Sequence, residues 1–67
     1  MPRKVRELIR LLTKAGFIAI PAKGSHRKFI HPHADSIVIS GNLGDDAKRY
    51  QEELVKTGLQ QAKSQGR

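Results

Sequence analysis

Val5, Leu8, Ile9 and Leu12 recur at the i, i+3, i+4, i+7 spacing of a single helical face, and Leu11 and Ala15 widen it. Arg3, Arg6, Arg10 and Lys14 fall on the wet side. Pro2 suits a first helical position, where its missing N–H costs nothing. Gly16 stands where a left-handed stop is expected, with Phe17 able to pack back on the last turn. The pattern predicts a helix over about residues 2–15. The period then changes. Phe17-Ile18-Ala19-Ile20 is apolar at every position, which predicts a short strand covered on both faces or central in its sheet. Pro21 ends that strand or puts it at an edge. From Arg27 to His31 the chain alternates, with Arg27, Phe29 and His31 on one face and Lys28 and Ile30 on the other. Pro32-His33-Ala34-Asp35 reads as a turn, and Ser36-Ile37-Val38-Ile39-Ser40 as a third, β-branched strand. The links between the strands are short, so an antiparallel meander is expected.

Gly41-Asn42-Leu43-Gly44 reads as a loop. Asp45 or Asp46 is placed to cap a second helix, where both favour its positive end. Ala47, Tyr50, Leu54 and Val55 supply that helix with an apolar stripe, Gly58 is its natural stop, and residues 60–67 are polar enough to fray. The expected fold is α+β: one small domain over residues 1–59, ordered helix–three-stranded antiparallel sheet–helix, with a polar C-terminal tail over 60–67. Both helices are expected on one face of the sheet, leaving the other partly open.

A chain of 67 residues has room for one small core and no deep pocket, so a substrate is met on the surface. With no cysteine, neither a disulfide framework nor a Cys-based zinc site is available. No apolar run approaches the roughly 18 residues of a membrane span, and the basic N-terminus lacks the apolar core of a signal peptide. A soluble cytoplasmic protein without membrane contact is expected. Charge adds the strongest global signal. Residues 1–28 hold eight basic side chains against Glu7 alone, whereas residues 29–67 hold five of each sign, so the whole net charge of +7 lies in the first 28 residues. Such one-sidedness points to a polyanion, RNA above all, as partner.

Between the first two predicted strands lies Lys23-Gly24-Ser25-His26-Arg27-Lys28. Gly24 is the residue expected to take positive φ in this connection. Histidine both takes and gives a proton near neutrality, and like charge from Lys23, Arg27 and Lys28 favours its neutral form, the one that acts as a base. The cations and the loop N–H groups are suited to holding a phosphate. RNA brings its own nucleophile, the 2′-OH. These residues together suggest a metal-free ribonuclease with no cofactor; the plainer alternative is a basic hairpin that only contacts phosphate. His31 and His33 straddle a proline turn with no third ligand in view, and read as turn residues. Tyr50, at helical spacing with Ala47 and Leu54, reads as core. Ser25 lacks anything to orient it as a nucleophile, and Asp45 and Asp46 read as caps, not a catalytic pair.

Three groups of residues carry a family resemblance. They are Leu8-x-x-Leu11-x-x-x-Ala15-Gly16-Phe17, then Lys23-Gly24-Ser25-His26-x-x-Phe29, then His31-Pro32 before a β-branched strand. Over about residues 3–59 the chain resembles the HicA family, small mRNA-cleaving toxins of bacterial toxin–antitoxin pairs whose fold is similar to double-stranded-RNA-binding domains. The resemblance implies that His26 is the catalytic residue, with Lys23, Gly24, Ser25, Arg27 and Lys28 on the RNA, and that a HicB-type antitoxin covers the active face. The chain departs from the family after the third strand. Many members carry a proline and a second histidine there, where this one has Ser40-Gly41-Asn42-Leu43-Gly44-Asp45-Asp46. No general acid is assigned by the resemblance, and Lys23 or water is left for that role. Two other readings compete with the ribonuclease: a non-catalytic RNA-binding module of similar fold, and a small protein whose basic face meets an acidic partner.

Overall fold

Leu8, Leu12, Phe29 and Ile39 are completely or almost completely buried, and the elements that carry them follow from how each end of the chain is tied. The computed structural model describes residues 3–24 and 26–65. Helix α1 (Val5–Lys14) is followed by strands β1 (Ile18–Pro21), β2 (Arg27–His31) and β3 (Ala34–Ile39) and by helix α2 (Arg49–Gln65). The order and the antiparallel three-stranded sheet are those the sequence predicts, and they are compatible with a double-stranded-RNA-binding-like fold.

Helix α1 starts at Val5, not near residue 2. Lys4 is extended and bridges to Asp46, and the Arg3 carbonyl accepts the Ala47 N–H at 2.7 Å. The first helical N–H groups are satisfied from outside the helix, Val5 by the Asp45 carbonyl and Arg6 by the Leu43 carbonyl. Pro2 lies outside the described residues. At the other end, Gly16 has φ +99° and donates to the Thr13 carbonyl, while Phe17 donates to that of Leu12. This is the paired hydrogen bonding of a Schellman stop. It draws Phe17 into the core, so β1 begins one residue later, at Ile18.

The strand order is β1-β2-β3, with β2 central. The expectation that β1 is central or covered on both faces is overturned: it is an edge strand, exposed along its whole length. Its all-apolar sequence misled because only Phe17, just before the strand, serves the core. Phe29, Ile37 and Ile39 face inward, while Lys28, Val38 and Ser36 on the alternate positions are exposed. One face of the sheet is therefore packed and the other open, as expected.

Helix α2 departs most from expectation. It runs through Gly58 to Gln65 instead of stopping there, and Ala62 is buried beyond the predicted end. A Cβ on Gly58 would sit 2.6 Å from Ile37 Cδ1 and 3.3 Å from Phe17 Cζ. Glycine is there so that the helix can approach the sheet, and the contact outweighs its low helix propensity, worth about 1 kcal/mol. The buried stripe of α2 is Gln51, Val55, Gly58 and Ala62, continued by Ala47 just before the helix, whereas Tyr50 and Leu54, both expected in the core, are exposed. Gln51 is buried at no polar cost: its Nε2 donates to the Ser40 carbonyl and its Oε1 accepts the Lys48 N–H. The second of these bonds caps the start of α2. Asp45 and Asp46 do not cap it. Asp45 accepts the Asn42 N–H within the loop, and Asp46 pairs with Lys4 Nζ at 2.6 Å.

Candidate functional site

The connection between β1 and β2 is held by its own backbone. Pro21 pairs with Arg27 at the last rung of the ladder. Beyond that rung the Ala22 N–H donates to the His26 carbonyl, and the His26 N–H donates to the Lys23 carbonyl, both at 3.2 Å. Gly24 takes φ +64° in this turn, as its position predicts. Nothing lies within 4 Å of where its Cβ would be, so backbone conformation and not crowding calls for glycine there. Ser25, the remaining turn residue assigned to RNA, lies outside the described residues.

The turn displays its side chains and keeps its backbone fixed. Lys23, His26 and Lys28 are exposed. Arg27 is half-buried and donates through Nη1 to the Gly41 carbonyl at 3.3 Å, which ties the start of β2 to the loop after β3. That same loop receives the first N–H groups of α1 through Leu43 and Asp45. The Lys23–Lys28 segment, the loop over 41–46 and the basic N-terminal turn of α1 thus share one end of the molecule. Proximity in sequence accounts for Lys23, His26, Arg27 and Lys28; Arg3, Lys4 and Arg6 join them only through loop 41–46. Their signal in the sequence is the one-sided charge, but not their place. Of these, Lys4 is paired with Asp46, the one salt bridge among the described residues.

The other two histidines are elsewhere. His31 closes the opposite end of β2, about 16 Å from residue 26 at the usual strand rise. Its ring lies 4.9 Å from that of Phe17, and its Nδ1 accepts the His33 N–H at 3.0 Å. His33 lies in the turn, as expected, whereas His31 is the last residue of β2. Among the described residues no three His, Cys, Asp or Glu side chains gather in a metal-binding group. Loop 41–46 contributes backbone links and carboxylates and no second histidine.

Chemically this arrangement is an imidazole exposed on a hydrogen-bonded turn, flanked by two exposed ammonium groups. It can abstract a proton from a ligand lying on the surface while the lysines meet that ligand's negative charge. No helix of the described residues is long and apolar enough to cross a membrane. A family model described as the HicA toxin of bacterial toxin–antitoxin systems matches residues 5–63. Searches of curated proteins and of solved structures find no match to the chain.

Proposed function

The chain belongs to the bacterial HicA toxin family, and as a toxin of a toxin–antitoxin pair it has an antitoxin as partner; on that premise we propose that it is a metal-independent endoribonuclease that cuts mRNA with His26 as general base. The observation that carries this reading is the fixed turn with an exposed imidazole between Lys23 and Lys28. Lys23, Arg27, Lys28 and the turn backbone at Gly24 and Ser25 hold the phosphodiester. His26 takes the proton of the 2′-OH, and that oxygen attacks the adjacent phosphorus. The bond from phosphorus to the 5′-oxygen breaks, and the leaving oxygen takes a proton from Lys23 or from water. The products are a 2′,3′-cyclic phosphate and a 5′-OH end. Because the substrate supplies the nucleophile, no bound ion is required to generate one. The antitoxin is of the HicB type, and the setting is the cytoplasm, where mRNA is found.

The test is incubation of the purified protein with a labelled single-stranded RNA, beside a His26→Ala control and a DNA of the same sequence. Cyclic phosphate ends from RNA, formed in the presence of chelator and absent with His26→Ala, are the expected result; DNA should bind and survive. Ends bearing 5′-phosphate, or undiminished cleavage by the variant, would rule the mechanism out. Loss of RNA binding in the variant would instead move His26 into the phosphate clamp of a non-catalytic RNA-binding module.

A further inference from the structure

The sheet face turned away from the helices carries an unusual set of side chains. By register, Ile18 of β1 lies opposite Ile30 of β2, and Ile20 lies opposite Lys28, which in turn lies opposite Val38 of β3. These five positions share the open face. Ile18 is 62% exposed, Val38 49% and Ile20 41%, while Ile30 is half-buried. At one corner Ile18, Ile30, His31 and Pro32 line a cleft of about 270 Å³. Four β-branched apolar side chains thus share with one lysine a face that neither described helix covers. A contiguous apolar patch of this kind marks an interaction site.

We propose that this face is where the antitoxin docks, with apolar side chains laid over Ile18, Ile20, Ile30 and Val38 and a carboxylate brought to the Lys28 ammonium. Three arguments select this occupant. RNA gains mainly from Lys28, since phosphates and riboses draw nothing from four aliphatic side chains and this face offers no aromatic ring or guanidinium on which a base could stack. A second copy of this chain, meeting it across a two-fold axis, would set Lys28 near Lys28 and add one net charge of +7 to another. An apolar partner with a carboxylate at the centre satisfies both the isoleucines and the lysine. The cleft beside Ile18 and Ile30 is of a size to take a single anchoring side chain, the usual form of an energetic centre in an interface.

The same placement explains how docking would silence the site, and this step rests on the proposed role of His26. The Ile20–Lys28–Val38 row is one residue from the Pro21–Arg27 rung, and the turn that holds His26 follows directly. Three strands of four to six residues present a face of roughly 15 by 10 Å. A stable interface takes about 800 Å² from each partner, several times that footprint, so the antitoxin must overhang the ends of the sheet. At the β1–β2 end it lies over Lys23 and His26, and it takes Lys28 away from RNA.

The chain has no cysteine, so a single one reports accessibility without background. The experiment uses the toxin with Val38→Cys, or with Thr57→Cys on exposed α2 as control, labelled with a maleimide dye with and without its cognate antitoxin. At least tenfold slower labelling of Val38→Cys in the complex, with the Thr57→Cys rate unchanged, is expected. Equal protection of neither, or protection of Thr57→Cys alone, overturns the proposal. In parallel, the Ile18→Glu, Val38→Glu double variant should lose at least 100-fold in antitoxin affinity and keep RNA binding. Should that variant fail to fold, Ile18→Thr with Val38→Thr keeps the β-branched shape that strands favour and should lose about tenfold. RNA binding lost with antitoxin binding intact assigns the face to RNA; a wild-type dimer dissociated by the variant, again with antitoxin binding intact, assigns it to a second copy. Either result overturns the proposal. All readouts are of binding, so a protein that cuts no RNA would refute the ribonuclease reading and leave this one standing or falling by itself.

Discussion

Strand β2 has a histidine at or beside each end, and the two ends are built on opposite plans. At the His26 end the backbone is fixed, by the Pro21–Arg27 rung, two turn hydrogen bonds and Gly24, and the side chains project into solvent. At the His31 end the side chain itself is the fastening: its ring packs at a tilt against Phe17 and accepts the His33 N–H. Phe17 in turn sits against Gly58 of α2, so this end is knitted into the helix–sheet contact. Histidines a few residues apart at the two ends of one strand are therefore not interchangeable candidates. An imidazole already spent on a ring contact and on a backbone hydrogen bond has little left to offer a substrate, while one whose side chain makes no hydrogen bond among the described residues keeps its nitrogens for a ligand.

The two ends are told apart most sharply by removing each imidazole in turn. His26→Ala should lower RNA cleavage by on the order of 10²–10⁴, the usual worth of a positioned acid–base group, while thermal melting stays within about 2 °C of the parent. His31→Ala should do the reverse, and a His31→Ala protein that melts normally but cuts no RNA would invert the assignment of the two ends.

The next largest effect is expected beneath the His31 end. Gly58→Ala forces a Cβ to within 2.6 Å of Ile37 Cδ1. Overpacking of this kind costs about 1–3 kcal/mol, against about 1 kcal/mol returned by helix propensity. Ile37 is itself buried and has little room to yield, so the upper part of that range applies, and a net loss of roughly 1–2 kcal/mol should lower Tm by on the order of 10 °C in so small a domain. An unchanged or higher melting temperature would mean that α2 does not approach the sheet so closely.

His31→Ala itself removes an aromatic contact worth about 0.5–1.5 kcal/mol and one neutral hydrogen bond. A loss of about 1–2 kcal/mol in a urea titration, with cleavage kept within about twofold, is the expected outcome. The smallest effect sharpens the other end. Lys23→Ala and Lys28→Ala, each measured against salt, should reduce the slope of log K against log salt by about 0.7 on single-stranded RNA. A slope that does not move for either would take these lysines off the phosphate.

Much of this was legible in the chain. The 3.6-residue repeat from Val5 to Leu12 located α1 because a helix buried along one stripe must show that period. Gly16 and Gly24 announced their positive φ because both stand at turns where other residues pay a steric penalty. The candidate site was readable because its members lie within six consecutive residues, so the local turn alone assembles them. Where local rules competed with packing, they lost. Gly58 looks like a helix end to propensity alone, and only Ile37 and Phe17 arriving from elsewhere make it a packing residue. Tyr50 and Leu54 look like core, yet the face that meets the sheet is the one bearing Gln51 and Gly58, whose value is small size or a satisfied amide and not hydrophobicity.

By itself, then, the amino-acid sequence determined the element order, the basic N-terminal half, the turn that carries His26 and the family, because these depend on neighbours along the chain. Tertiary structure alone decided which strand lies at the edge, which side of α2 is buried, and that loop 41–46 joins Arg27 to the start of α1. The physical reason is the same in each case. An apolar residue is buried only if another surface arrives to cover it, and a backbone N–H at a helix start takes whichever carbonyl the rest of the fold brings near. Ile18 and Ile20 read as interior from their chemistry, and remain on the surface because β1 has a neighbour on one side only and no helix covers the open face of the sheet.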